Sequence, residues 1–217
     1  MVNFESREKY GVYDLQRLIK ILRSPDGCPW DIEQTHESIR RNFLEEAYEA
    51  VEAIDEGDAP HLREELGDVL TQVVFHSDIE DDAGRFDLDD VADATVRKLL
   101  YRHPHVFGDA VAETSGAVLE NWDELKRKEK SQETLYDELT AVARSLPALW
   151  RAEKVQKKAA KAGYALDPGE VDPKADPLTA IGEMLFFTVD AARQLNIDPE
   201  DALNAATERF ILRFNEQ

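Results

Sequence analysis

Two acidic pairs on neighbouring segments carry the clearest chemical signal in this chain. Glu46 and Glu49 stand three residues apart in Glu45-Glu46-Ala47-Tyr48-Glu49, and Glu65 and Asp68 stand three apart in Glu65-Leu66-Gly67-Asp68. On an α-helix that spacing puts both acids on one face, about 60° apart with a rise of roughly 4.5 Å. Four carboxylates brought together repel one another, and hard divalent cations, which take oxygen ligands, are the usual reason such a set exists. An all-carboxylate set favours Mg²⁺ over Zn²⁺. The competing reading is a row of ordinary solvated glutamates, which is what we expect of Glu45, Glu52, Glu56 and Glu64.

The elements that must position these acids read as helices. Leu15, Leu18, Ile19 and Leu22 recur at helical spacing over Val12 to Arg23. Ser24 to Asp31, rich in Pro and Gly, reads as a loop. Thr35 suits an N-cap for a helix over His36 to Glu56 that stops at Gly57-Asp58. A second long helix is expected from Pro60 to Ala83, and a third, capped by Asp87, through Tyr101. Arg102 to Gly116 reads mostly as loop and Ala117 to Lys130 as helix. Further helices are expected over Thr134 to Ala162, broken or kinked at Pro147, over Leu178 to Leu195, and over Pro199 to Phe214. Gly163 to Pro177 reads as a linker, and nothing reads as a paired strand.

Rotational positions relate the two pairs. With Glu46 at 0°, Leu44, Ala47, Tyr48, Val51 and Ile54 cluster near roughly 135° and Glu49 lies at about 300°. With Glu65 at 0°, Leu62, Leu66, Val69, Leu70 and Val73 cluster near roughly 85° and Asp68 again lies at about 300°. The short connection favours an antiparallel hairpin. If those stripes form the packing faces, both pairs emerge on the same side of it.

Composition sets outer bounds. The 217 residues suffice for one domain or two small ones, and 42% apolar content supports a core. With 46 acids against 26 Lys and Arg, the formal charge is −20, which disfavours charge-driven binding of nucleic acid. The charged Met1 to Tyr10 segment lacks the apolar stretch of a signal peptide, and no apolar run approaches a membrane span. Cys28, the single cysteine, has no histidine at a spacing that suggests a nucleophile, so we read it as structural. A reducing, cytoplasmic location is expected.

The motifs around the acids resemble the MazG branch of the all-α nucleoside triphosphate pyrophosphohydrolases. The resemblance rests on Gly27-Cys28-Pro29-Trp30-Asp31, Gln34-Thr35-His36, Phe43-Leu44-Glu45-Glu46-Ala47-Tyr48-Glu49 and Glu64-Glu65-Leu66-Gly67-Asp68. It extends to Gln72-Val73-Val74-Phe75-His76, Arg102-His103-Pro104-His105-Val106-Phe107-Gly108 and Asn121-Trp122, covering about Tyr13 to Lys130. It implies an all-α antiparallel helical bundle, assembled as a homodimer or higher homo-oligomer. It also implies cleavage of a nucleoside triphosphate, canonical or not, to monophosphate and pyrophosphate, a house-cleaning role. Glu46, Glu49, Glu65 and Asp68 would then bind Mg²⁺, with Mn²⁺ as a substitute, and Glu46 would take a proton from the attacking water. No Walker-type glycine loop is present, so metals and a few basic side chains must hold the phosphates.

Arg102 and Lys126 are candidates for phosphate contacts, against a reading as surface charges. Trp30 either stacks on a base or anchors a loop. His103 and His105 either line a pocket or hold structure. Asn121 and Trp122 fit the pattern without an assigned role. A non-catalytic module that senses nucleotides, or regulates a partner, is the alternative from another class.

The boundary we expect divides a catalytic domain, residues 1–130, from a helical region, residues 131–217. Leu66-Gly67-Asp68-Val69-Leu70 resembles Ile181-Gly182-Glu183-Met184-Leu185, and the segment at Asp87 resembles that at Asp198. Leu146-Pro147-Ala148-Leu149 and Glu208-Arg209-Phe210 resemble parts of a second MazG domain. Ala180 stands where Glu65 stands, and no tandem acids precede it. The C-terminal region reads either as a degenerate copy without the acidic motif or as amphipathic helices alike by chance, and one active centre per chain is expected.

Overall fold

The computed structural model describes residues 4–109, 114–129, 132–166 and 176–213, all of them helical or irregular, with no strand among them. The chain divides into two compact units, Met1–Asp109 and Ala110–Gln217. No helix among the described residues is long and apolar enough to cross a membrane.

The first unit holds α1 (Val12–Leu22), α2 (Pro29–Glu33), α3 (His36–Glu56), α4 (Ala59–Asp82), α5 (Leu88–Arg102) and α6 (Pro104–Phe107). Local chemistry sets the ends of the central hairpin. The Thr35 hydroxyl accepts from the Ser38 N–H at the start of α3. Gly57, at φ 69°, closes that helix in the left-handed region, where a side chain is disfavoured. Asp58 then accepts from the His61 N–H and opens α4. Asp87 and Asp90 form a reciprocal capping box on α5.

The core comprises Ile19, Ile39, Val74, Phe75 and Leu88, with Leu15, Leu22, Leu70, Val73 and Ile79 around it. Arg23, next to α1, enters this core as a charge. Its guanidinium donates to Asp78 (2.8 Å), Asp82 (2.9 Å) and the Asp31 carbonyl (3.1 Å), and lies 5.0 Å from the Phe75 ring centroid. Burial pushes the Asp78 carboxyl up, and the hydrogen bond from Arg23 opposes that rise. Only glycine fits at position 27, because a Cβ there would lie 2.2 Å from the Leu22 carbonyl oxygen.

Three sequence expectations change. Ser24 to Asp31 is not loop throughout, since Pro29 sits in the first turn of α2, where its missing N–H is harmless. The region after α5 contains the one-turn α6, started by Pro104. The packing face of α3 is also different. Ile39, Ala50 and Ala53 are buried, whereas Leu44, Tyr48, Val51 and Ile54 are each about half exposed. The small alanines let α4 approach closely, and the large apolar residues face outward.

The second unit holds α7 (Ser115–Glu129), α8 (Leu135–Thr140), α9 (Ala148–Lys161), α10 (Pro177–Gln194) and α11 (Pro199–Leu212). The expected helix over 134–162 is interrupted, with Pro147 as the N-cap residue of α9. Asp198 caps α11 and also accepts from the Trp150 indole N–H at 3.0 Å. Most of the expected linker, residues 167–175, lies outside the described residues, as do Lys130 and Phe214.

Candidate metal centre

Glu46 lies within the α3 face that packs on α4, about 40° from Ala50 and about 20° from Ala53. Glu65, one turn and a half into α4, faces it and is 7% exposed. Glu46, Glu49 and Glu65 each offer a carboxylate oxygen, and the three oxygens lie within 4.8 Å of one another. Asp68 is exposed and outside that set, yet its charge acts on both Glu46 and Glu65. Three of the four acids thus converge, through the helix seam itself rather than along its edge.

The electrostatics match a site made for cations. Burial pushes the Glu46 carboxyl up, followed by repulsion from Asp68, Glu49, Glu65 and Glu45. Burial also raises Glu65, with Glu49 adding to the effect and His61 opposing it. One Glu65 oxygen lies 3.2 Å from His61 Nε2, while its buried Oε2 has no hydrogen-bond partner. An acceptor left that way is unfavourable unless something else satisfies it. A hard divalent cation is the species for which three converging oxygens and one orphaned lone pair are suited.

The other sequence candidates are dispersed. Trp30 is exposed on α2, and its carbonyl accepts from the Gln34 amide at 2.7 Å. Arg102 is half-buried at the end of α5. His103 Nδ1 donates to the Leu99 carbonyl at 2.5 Å, which ties the ring to the α5–α6 junction. His105 stacks obliquely near His103, with ring centroids 5.6 Å apart. Lys126 lies on α7 in the second unit, beside Arg127, Gln132, Glu138, Lys158 and Lys161, and Asn121 and Trp122 are half-buried on the same helix.

Sequence reasoning missed one polar chain. His36 and His76 stack across α3 and α4, with their Nδ1 atoms 2.7 Å apart. His36 Nε2 lies 2.5 Å from the Glu80 carboxylate, which also pairs with Arg85. The carboxylate accepts, so His36 donates from Nε2, and a single proton is shared between the two facing Nδ1 atoms. Burial, with His36 alongside, pushes His76 down. Both histidines belong to motifs noted in the sequence, but a separation of 40 residues hides their contact.

The Arg85 hydrogen bond holds Glu80 well below the ordinary carboxylate value of 4.5, at about 2, with His36 assisting and burial opposing. Ionised Glu80 therefore stabilises the fold above pH 4.5, and that contribution is lost as pH falls through about 2. We expect Glu80→Gln to melt below the wild-type chain at neutral pH. The gap should stay level down to about 4.5 and close between there and about 2. Melting curves across that range test this, and a gap that is unchanged near pH 2 contradicts it.

Residues 34–107, which include all four acids and the histidine chain, match the MazG nucleotide pyrophosphohydrolase domain. The likeness extends well beyond that segment. A nucleoside triphosphate pyrophosphohydrolase of Escherichia coli K12 is 42% identical over 226 residues, covering 93% of this chain and 86% of the relative. A nucleoside triphosphate pyrophosphohydrolase/pyrophosphatase MazG of Thermotoga maritima is 37% identical over 222 residues, covering 93% and 83%. The domain match, together with this identity along most of the length of such relatives, places the chain in the MazG nucleoside triphosphate pyrophosphohydrolase family.

Proposed function

We propose that the chain hydrolyses nucleoside triphosphates to nucleoside monophosphates and pyrophosphate, with Mg²⁺ held by Glu46, Glu49, Glu65 and Asp68. The observation that carries this reading is the orphaned, buried Oε2 of Glu65 beside two further carboxylates. Bound Mg²⁺ offsets the charge of the triphosphate, polarises its α-phosphate and lowers the pKa of a bound water. The chain's own residues orient and deprotonate. Glu46, whose carboxyl is pushed up by burial and by its neighbours, is the base that accepts the proton of the attacking water. His61 lies 3.2 Å from one oxygen of Glu65, and the other oxygen has no hydrogen-bond partner. Arg102 remains our candidate for a phosphate contact and Trp30 for base stacking, with His103 holding the loop that follows Arg102.

Glu46→Ala should lower turnover by about 10²–10⁴-fold with the fold intact. Pyrophosphate release from a panel of NTPs and dNTPs in Mg²⁺ measures this. Full residual turnover in the variant would remove Glu46 from the mechanism. Nucleotide binding by the wild-type chain without pyrophosphate release would replace the enzyme reading with that of a sensor.

We also propose a homodimer in a reducing cytoplasm. The half-exposed Leu44, Tyr48, Val51 and Ile54 form a stripe on α3 beside the acids, and a second copy is the partner we expect to cover it. Val51→Asp should shift sedimentation towards the monomer, whereas an unchanged profile argues for another contact. The C-terminal region is, in this view, a degenerate copy of the first. Gly182 precedes the capping Asp198 by four residues fewer than Gly67 precedes Asp87, about one helical turn.

A further inference from the structure

We propose that the second unit carries a binding site for a small organic anion, one oxyanion head on an aromatic body, in a cavity lined by Arg144 and Arg151. The cavity holds about 350 Å³, and Tyr136 from α8 and Phe186 from α10 also line it. No acid lines it among the described residues, although the chain has 46 acids against 26 Lys and Arg. Neither arginine has a hydrogen-bond or ion-pair partner among the described residues.

Ordinary surface chemistry does not account for this pair. An arginine commonly lays its stem on apolar surface and keeps its head in water. The Nε of Arg151 is instead buried without a hydrogen-bond partner. A donor left that way is unfavourable until an acceptor reaches it. Helix-end chemistry acts in the opposite direction. Arg151 is the fourth residue of α9, and Ala148, the first, lines the same cavity. No acid occupies that first turn, and no side chain caps it. The positive end of the helix dipole disfavours cations there and favours an anion. One bound oxyanion therefore satisfies the guanidiniums and the helix end together.

Guanidinium forks match a carboxylate or phosphate head through paired hydrogen bonds. The remaining walls are unlike those of a site for a free inorganic ion. Leu139, Ala152, Val155 and Phe186 are apolar, and the Tyr136 ring is exposed. Such walls take an aromatic body by burial and by ring stacking. About 350 Å³ lies within the range of small-molecule pockets and accommodates a head with a ring system. A nucleoside monophosphate and an aromatic carboxylate share that chemistry. None of the four acids of the first unit lines the cavity, so no divalent cation is needed to bring the anion in.

Isothermal titration of the full-length chain with AMP, and separately with benzoate, both in excess chelator, tests this. We expect saturable binding of at least one, and the stronger of the two identifies the head group. Inorganic phosphate, a head without a ring, should bind at least tenfold more weakly than that ligand. Arg144→Gln and Arg151→Gln should each weaken binding at least tenfold. Glu46→Gln should leave it unchanged, which separates this site from the reaction proposed above. The proposal fails if neither ligand binds, if inorganic phosphate binds as tightly as the stronger ligand, if either arginine variant keeps wild-type affinity, or if Glu46→Gln abolishes binding. Arg144 is exposed. Should Arg151→Gln lose its fold by circular dichroism, Arg144→Gln therefore decides, and unchanged binding there overturns the site.

Discussion

Glu65→Gln is expected to melt at a higher temperature than the wild-type chain in metal-free buffer and to lose at least about 100-fold in turnover. The two effects have one cause. Glu65 is buried, its Oε2 lacks a partner, and Glu49 and Asp68 repel it. A neutral amide of the same shape removes the repulsion while keeping an oxygen for His61. It also removes a charged group that we propose as a metal ligand, so the loss of turnover should exceed the roughly 10–100-fold typical of groups that only support a metal ligand from behind. Mg²⁺ itself gives a readout independent of activity. At about 100 times its Kd, a ligand bound only by the folded state adds about 2.7 kcal/mol of stability. That gain should be present in the wild-type chain and absent in the variant. A variant that melts lower and still responds to Mg²⁺ would show that Glu65 is not a ligand.

Arg23→Met should have the largest effect on stability, about 3–5 kcal/mol, because it leaves Asp78 buried without its counter-charge. Both side chains of the pair are nearly inaccessible, 8% for Arg23 and 4% for Asp78. For a chain of this size the loss corresponds to a drop in melting temperature of roughly 6–20 °C. The double variant Arg23→Met/Asp78→Leu should recover more than half of it, since an apolar pair of similar volume replaces the buried ions without a desolvation penalty. Thermal or urea unfolding of the three chains provides the measurement. A single variant as stable as the wild type would show that water reaches Asp78 freely.

Arg23 also illustrates where sequence reading stops. Its three partners lie eight or more residues away, and nothing local marks it as buried. Helix ends were legible because capping is local. Thr35, Gly57, Asp58 and Asp87 each act within four residues of their own position. The acidic spacing was legible for the same reason. The packing face of α3 was not. Leu44, Tyr48, Val51 and Ile54 dominate any hydrophobicity pattern, but the close approach depends on Ala50 and Ala53, whose small size carries little weight in such a pattern. The expectation that the acids converge was correct for Glu46, Glu49 and Glu65, although the route was the seam rather than the stripe edge. His36 and His76 were visible as motif residues, yet only the folded hairpin reveals that they touch.

All four acids ride on one continuous hairpin whose turn is two residues long, Gly57 and Asp58. Closing so short a connection sacrifices little chain entropy, and contacts this local in sequence form early on a folding pathway. Chain order then bears on biosynthesis. Once Asp68 has left the ribosome, the nascent polypeptide already contains all four of the acids proposed to hold Mg²⁺. Metal capture is therefore open to the chain long before its C-terminal helices have been translated.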